Sequence, residues 1–162
     1  MIKKYEEAPA LSAVAEFHET FNLPILSSPA IPEKDRCRLR INLLKEELEE
    51  LEEALDEKDL TEVLDALCDL QYVLSGAILE FGCGQVFRDA FNEVQRSNMS
   101  KICHSEEEAR KTVKHYAEKD GTESHIVRKG DIYLVYRNED SKVLKSVNYS
   151  PANIRQFVKA DN

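Results

Sequence analysis

Two helical segments in direct succession constrain the fold of this chain more than any other feature of its sequence. Isoleucine and leucine recur at helical spacing over residues 41–55, which predicts a helix from about Asp35 to Glu57. After a short break at Lys58, Asp59 stands where an N-cap would, and a further helix is predicted over residues 60–81. Because the connection is so short, the two helices should form an antiparallel hairpin, in which residues whose numbers sum to about 116 lie level.

The other segments complete a mostly helical chain. A short helix is predicted over residues 11–21, another over residues 85–96, and a last long one from the N-cap Ser105 to near Gly121. Beyond Gly121, β-branched and aromatic residues alternate with turn signals, which predicts a meander of two or three strands. A final short helix is expected after Pro151. The predicted fold class is therefore mostly α, a bundle of four to five helices with a small C-terminal β-meander extension.

The composition agrees with a globular chain of this kind. Its 162 residues are 42% apolar and 33% charged, with only 5 Gly and 5 Pro, which argues against collagen-like or largely disordered architectures. There is no internal repeat. We expect an all-α bundle over residues 1–103, followed by a C-terminal helix with a small β extension over residues 104–162.

Charge and cysteine spacing exclude several functional classes. The net charge of -9 argues against binding a phosphate backbone or an anionic membrane surface, so neither nucleic acid nor membrane is an expected partner. The four cysteines form no C-x-x-C pair, which argues against a zinc knuckle or a redox dithiol. Neither a signal peptide nor an apolar run of about 20 residues is present, and we expect a cytoplasmic protein.

The negative charge is concentrated in one short stretch. Residues 45–69 contain 12 acids and 2 bases, whereas the other 137 residues contain 19 acids and 20 bases. A run of this kind is often only the solvated face of a helix, and that interpretation stays open. The angular positions of the acids around the two helices help to distinguish a solvated face from a functional site.

On the first helix of the hairpin the acids divide into two groups. Glu46, Glu49 and Glu53 lie opposite the apolar stripe and should face water. Glu47 and Glu50 share a flank of the helix with apolar residues, and we expect them to be partly buried.

The second helix of the hairpin contains no Lys or Arg and is apolar over most of its circumference, so it should be central in the fold. One narrow acidic strip runs along this helix, made of Glu62, Asp65, Asp69 and Tyr72. The alternative is that this strip faces solvent and that Glu62 closes a capping box with Asp59.

The hairpin brings the two sets of acids together. Asp65 should lie opposite Glu50 and Asp69 opposite Glu47, with Glu62 about one turn away. Carboxylates this close repel one another and raise each other's pKa, so they need either protonation or a cation. Hard divalent cations prefer oxygen ligands, which points to Mg²⁺ or Mn²⁺. A di-iron bundle is not indicated, because none of the four histidines follows a glutamate by three positions.

Two acidic motifs on these helices carry a resemblance to a known family. Glu46-Glu47-Leu48-Glu49-Glu50 and Glu62-Val63-Leu64-Asp65 resemble the E-E-x-x-E and E-x-x-D signature of the MazG-like, all-α nucleoside triphosphate pyrophosphohydrolase superfamily. The stretch from Ala13 to Lys101 looks in addition like its phosphoribosyl-ATP pyrophosphohydrolase-like branch, through the run Asp65 to Asp69 and through Arg96-Ser97-Asn98-Met99-Ser100-Lys101.

The resemblance implies an activity, a metal and an assembly. The activity is hydrolysis of a nucleoside triphosphate or a related nucleotide between its α and β phosphates, giving a monophosphate and pyrophosphate. Glu47, Glu50, Glu62 and Asp65 would hold Mg²⁺, with Glu46 as an additional acid, and the residues expected to act in catalysis are Glu46, Glu47 and Glu50. The assembly would be a homo-oligomer, either a dimer or a tetramer. Asp69 joins the metal set on the hairpin register alone.

Five further residues are candidates for binding the nucleotide. Arg96, Asn98 and Lys101 are suited to phosphate or base contacts, although basic and capping residues are also common at helix C-termini. His18 could line a base pocket beside Phe17, although residues on an apolar face are more often core residues, and Tyr72 extends the acidic strip. Two other functions stay open: a non-catalytic module that binds nucleotides or a partner, and a purely structural helical oligomer.

Overall fold

The structure is a computed structural model that describes residues 4–158. It contains five α-helices and two β-strands: α1 (Ala10–Thr20), α2 (Lys34–Glu57), α3 (Leu60–Glu80), α4 (Phe87–Met99), α5 (Glu106–Asp120), β1 (Ser124–Lys129) and β2 (Ile132–Arg137). The predicted mostly helical fold with a small C-terminal sheet is confirmed. The meander has two strands, and the expected last helix is a single 3-10 turn over Ile154–Phe157. No helix within residues 4–158 is long and apolar enough to span a membrane.

The chain divides into two compact units, one formed by the described residues up to Phe87 and the other by those from Arg88 onward. The first unit holds α1, α2 and α3, with α1 and α2 both packed against α3. The second unit holds nearly all of α4 together with α5 and the sheet. The expectation of a domain boundary after residue 103 stays a prediction.

The α2–α3 hairpin forms as the sequence predicts. Lys58 adopts a left-handed conformation with φ 60° that ends α2, and Asp59 caps α3 by accepting the N–H groups of Thr61 at 2.8 Å and Glu62 at 3.3 Å. The guanidinium of Arg36 donates from Nε to Glu80 at 3.1 Å. Glu80 also bonds Arg40, and the residue numbers of the two pairs sum to 116 and 120, which agrees with the predicted register to within one helical turn.

The face of α2 that packs on α3 differs from the one that the leucine pattern indicates. Arg40 and Ala54 are buried and Glu47 is half-buried, so the packed face lies on the flank that carries Glu47. Much of the leucine stripe is exposed instead, namely Ile41, Leu48 and Leu55. The expectation that α3 is central is only partly met, because Leu60, Leu64 and Leu67 are 80%, 63% and 50% exposed. The described chain therefore leaves apolar surface of both helices uncovered.

A charged cluster is buried where the three helices of the first unit meet. Glu80 accepts hydrogen bonds from both Arg36 and Arg40, and Arg40 also approaches Nε2 of His18 at 3.3 Å. The other ring nitrogen of His18 bonds the carbonyl of Pro24 at 2.9 Å. Because a carbonyl only accepts, Nδ1 carries the proton and Nε2 is free to accept from Arg40. Burial alone would raise the pKa of Glu80, but the hydrogen bonds from Arg40 and Arg36 outweigh it and lower the pKa.

Two glycines of this unit are required by their surroundings. A Cβ on Gly76 would lie 2.6 Å from Nη1 of Arg40, so the absence of a side chain leaves room for the guanidinium. Gly82 has φ +67°, and a Cβ there would lie 1.9 Å from the carbonyl oxygen of Ser28. The chain therefore passes close to the end of α3, where Leu26 donates its N–H to the carbonyl of Leu79 at 3.1 Å.

The second unit has a core of its own, made of Cys103, Ala109, Val135 and Leu144. The two strands pair antiparallel from Ser124 opposite Arg137 to Lys129 opposite Ile132, and α5 packs on both of them. Ser105 caps α5 by accepting the N–H of Glu108 at 3.1 Å, and Gly121 ends it with φ 74°, as predicted.

We expect Glu80→Gln to lower the free energy of unfolding at pH 7 by about 3 kcal/mol, because it leaves the Arg40 guanidinium buried without its counter-charge. The pKa of Glu80 is lowered in the folded state, so its contribution is present above the unfolded pKa and is lost as pH falls through the folded pKa. Urea unfolding at several pH values measures this. Glu107→Gln, on the exposed face of α5, is the control, and an equal loss in both variants would contradict the prediction.

Candidate active site

Carboxylates from α2 and α3 surround Glu47. Burial, followed by the charges of Glu50, Asp69, Glu46 and Asp65, raises the pKa of Glu47. Two of these charges belong to α2 and two to α3. This agrees with the predicted hairpin register, in which residues 47 and 69 face each other. The other four side chains are exposed, so the group lies on the surface of the hairpin and not within it. The expectation that Glu50 is partly buried is therefore wrong, because the packed flank of α2 reaches Glu47 but not Glu50.

No basic side chain neutralises this group. Among residues 4–158, none of these five carboxylates forms an ion pair, whereas Glu80, at the other end of the same hairpin, is bonded by two arginines. Asp65 and Asp69 face solvent, as the alternative interpretation of the strip expects. The lack of basic partners within the described residues still distinguishes this group from a helix surface balanced by lysine and arginine. It leaves an accumulation of negative charge that protonation or a cation would relieve.

The chemistry of these donors fits a hard divalent cation, since every one is a carboxylate oxygen. As the side chains stand, no three His, Cys, Asp or Glu groups within the described residues are arranged to hold a metal ion. Within residues 4–158 the exposed carboxylates of Glu50, Asp65 and Asp69 form no hydrogen bond or ion pair that metal binding would have to break.

Glu62, the fifth predicted metal ligand, is placed differently from the others. It lies in the first turn of α3, exposed, with its backbone N–H bonded to Asp59. Its charge is not among those that raise the pKa of Glu47. The predicted role of Glu62 as a ligand therefore stays a prediction, carried by its position three residues before Asp65.

An aromatic cluster lies one turn along α3 from Asp69. The ring centroid of Phe17 on α1 is 5.7 Å from that of Tyr72 and 4.5 Å from that of Phe21. All three rings are exposed, so a planar group could reach them. His18 is buried with both ring nitrogens engaged, which favours its interpretation as a core residue over a substrate-binding one.

The second unit holds the three basic and polar candidates at the end of α4. Arg96 is bonded to Glu93 by two hydrogen bonds, from Nε at 2.7 Å and from Nη2 at 2.9 Å. Lys101 donates to the side-chain oxygen of Asn98 at 2.8 Å. All three remain at least partly exposed, and their role in substrate binding stays a prediction.

Sequence reasoning missed two charged residues of this structure. Glu80 appeared only as the end of an apolar helix, and nothing in the linear sequence pairs it with Arg36, which lies 44 positions away. Glu93 stands three positions before Arg96, a spacing at which helical side chains meet, so that pair could have been found. Hydrogen bonds from Arg96 and from the backbone N–H of Asn153 lower the pKa of Glu93 to about 2.

The fold and this site define a helical protein with an unneutralised carboxylate group on an antiparallel hairpin. Residues 14–98 match the model of the phosphoribosyl-ATP pyrophosphohydrolase family, and the chain belongs to that family. It is also 25% identical to an uncharacterised protein of Acanthamoeba polyphaga mimivirus, over 95% of this chain and 97% of that protein. The family match ends at residue 98, whereas this similarity also covers most of the remaining second unit. The family is one of nucleotide pyrophosphohydrolases, and its members are generally dependent on a divalent metal.

We expect Glu47→Gln to raise the free energy of unfolding at pH 7 in the absence of divalent cations, by on the order of 0.5 kcal/mol, because it removes like-charge repulsion. The pKa of Glu47 is raised in the folded state, so wild-type stability should increase relative to the variant as pH falls through that pKa. Added Mg²⁺ should reverse the order by stabilising the wild type more. Thermal unfolding with EDTA and with Mg²⁺ measures both effects; a variant less stable than wild type in EDTA would contradict the prediction.

Proposed function

We propose that this protein is a Mg²⁺-dependent nucleotide pyrophosphohydrolase. Its substrate would be a nucleoside triphosphate or a phosphoribosyl-ATP-like nucleotide, and its products the nucleoside monophosphate and pyrophosphate. The observation that carries the proposal is the half-buried Glu47 among four further carboxylates, none of which pairs with a basic side chain within residues 4–158. Family membership supports the reaction class, and the charge group supports the use of a metal.

In this proposal Glu47, Glu50, Asp65 and Asp69 hold the metal, with Glu62 at the start of α3 as a further ligand. Mg²⁺ bound there would offset the negative charge of the phosphates and of the transition state. Mn²⁺, which prefers the same oxygen ligands, would serve in its place.

The carboxylates of α2 would also accept the proton of the attacking water. The water oxygen forms a bond to phosphorus, the bridging bond between the α and β phosphates breaks, and pyrophosphate leaves with the electron pair. Glu47 is one candidate for the proton-accepting role, because it lies among the other carboxylates of the group. Glu46 and Glu50 are its neighbours on the same helix and are the other candidates for that role.

Further side chains are proposed to bind the other parts of the substrate. The exposed rings of Tyr72 and Phe17 offer a stacking surface for a base, one turn from Asp69. Arg96, Asn98 and Lys101 offer donors for phosphate oxygens. His18, being buried, would support Phe17 from the core and not touch the base.

We expect Glu50→Gln and Asp65→Asn each to lower kcat for pyrophosphate release about 100-fold or more, because charge stabilisation at a phosphoryl centre is lost. A coupled pyrophosphate assay with a panel of nucleotides and Mg²⁺ measures this. Glu53→Gln is the matched control, since Glu53 is an exposed glutamate on the same helix, opposite the apolar stripe. Unimpaired Glu50 and Asp65 variants would contradict the proposed site.

Calorimetric titration with nucleotide and with Mg²⁺, alongside the pyrophosphate assay, separates the two alternative functions. Nucleotide binding by calorimetry without pyrophosphate release would favour a non-catalytic binding module. The absence of any saturable Mg²⁺ site would favour a structural helical oligomer.

We further propose that a second copy of the chain covers the exposed apolar faces of α2 and α3. These faces carry the largest exposed leucines of the hairpin, which a monomer would leave in water at about 25 cal/mol for each Å². A homodimer is the simplest assembly that buries such a surface, and a tetramer would repeat the contact.

We expect Leu64→Glu to convert the oligomer to monomer, because an unpaired charge would have to be buried at the contact. Light scattering after size-exclusion chromatography gives the mass of wild type and variant. Val127→Glu, an equally drastic change at an exposed position on β1, should leave the mass unchanged. A monomeric wild type at micromolar concentration would contradict the proposed assembly.

A further inference from the structure

The segment from Tyr149 to Asn153 lies along the end of α4, within the second unit. The hydroxyls of Tyr149 and the buried Ser97 are 2.9 Å apart, and Ser150 donates its N–H to Oγ of Ser100 at 2.9 Å. The N–H of Asn153 is donated to Glu93 at 2.9 Å. This C-terminal segment therefore contacts α4 and its final turn at three successive points.

The same segment also contacts Arg96. Nη2 of Arg96 donates to the carbonyl of Pro151 at 3.1 Å and lies 3.5 Å from that of Ser150. Together with the two bonds to Glu93, these contacts engage the Nε and Nη2 edge of the guanidinium. Within residues 4–158 the Nη1 group has no hydrogen-bond partner, and the side chain is 46% exposed.

We propose that Glu93 and the backbone of residues 150–153 are positioning groups that hold Arg96 with its Nη1 edge directed to bind a phosphate oxygen of the nucleotide. This inference rests on the proposed function and adds to it a role for the C-terminal extension. Arg96 is the residue that touches the substrate. Glu93 acts through Arg96, and the segment acts through both.

The energetic reason is the flexibility of a free arginine. A long side chain loses rotamer freedom when it binds a ligand, and this loss weakens binding. An arginine already held by a carboxylate and a carbonyl has given up that freedom before the nucleotide arrives. Its planar guanidinium also fixes the direction of the remaining donors, which an ammonium group would not do.

The surrounding contacts should keep the C-terminal segment in place when Glu93 or Arg96 is replaced, so this role can be tested by substitution. The bonds from Ser97 and Ser100 hold the segment independently of Arg96. A comparable arginine and glutamate pair on α5, Arg110 with Glu106, is exposed and has no contact with the segment. It provides a control for the loss of a helical ion pair as such.

The first experiment measures kcat and KM for the nucleotide that the wild type hydrolyses, in full-length Glu93→Ala, Arg96→Ala and the double variant. We expect Glu93→Ala to raise KM about tenfold, with kcat changed less than threefold, because one charge-assisted contact is misdirected. The double variant should have the KM of Arg96→Ala alone. Glu106→Ala should match wild type. Additive effects of Glu93→Ala and Arg96→Ala, or an unchanged KM in Glu93→Ala, would overturn the inference.

The second experiment tests the backbone contact. Asn153→Pro removes the N–H that Glu93 accepts, whereas Asn153→Ala keeps it. We expect KM to rise severalfold in the first variant and to stay at the wild-type value in the second. Equal KM values in the two variants would overturn a role for this segment.

A calorimetric measurement separates failure of this inference from failure of the proposed function. If wild type releases no pyrophosphate from any nucleotide, the proposed hydrolysis fails. Titration with ATP then still measures how much Arg96 contributes to nucleotide binding. Tighter binding of ATP by wild type than by Glu93→Ala, by about tenfold, would uphold the inference. Equal affinities, or no binding by wild type, would overturn it.

Discussion

The contact between α2 and α3 is the interaction on which the rest of this structure depends. A short connection at Lys58 forces the helices to run antiparallel, and the register that places residue 36 beside residue 80 also places residue 47 beside residue 69. The same packed face therefore carries two charged groups of opposite character. At one level Glu80 is buried and bonded by two arginines, and at the other Glu47 meets only acids.

The charged groups at these two levels have opposite effects on stability. The arginines lower the pKa of Glu80 and make a buried charge tolerable, which stabilises the meeting point of three helices. The acids around Glu47 raise its pKa and leave repulsion unrelieved. Unrelieved repulsion of this kind costs stability, and it is the observation on which the proposed metal site rests.

The hairpin, the cap at Asp59 and the level of Glu47 opposite Asp69 could be predicted because each follows from local spacing and a short connection. The rotation of α2 about its axis could not. An apolar stripe shows which side avoids water, but not whether the partner is a neighbouring helix or another chain. The stripe containing Leu48 and Leu55 is exposed in the described chain, while the flank with Arg40 and Glu47 is packed on α3.

The sequence by itself determined the helices, their order and the concentration of acids on two of them, because these depend on residues within a few turns of one another. Only the tertiary structure decided which charges are neutralised. Glu80 finds Arg36 across 44 positions, and Arg96 finds the carbonyl of Pro151 across 55. Such pairs depend on how the chain returns upon itself, and the interaction between two charges falls with their separation in space, whatever their separation in sequence.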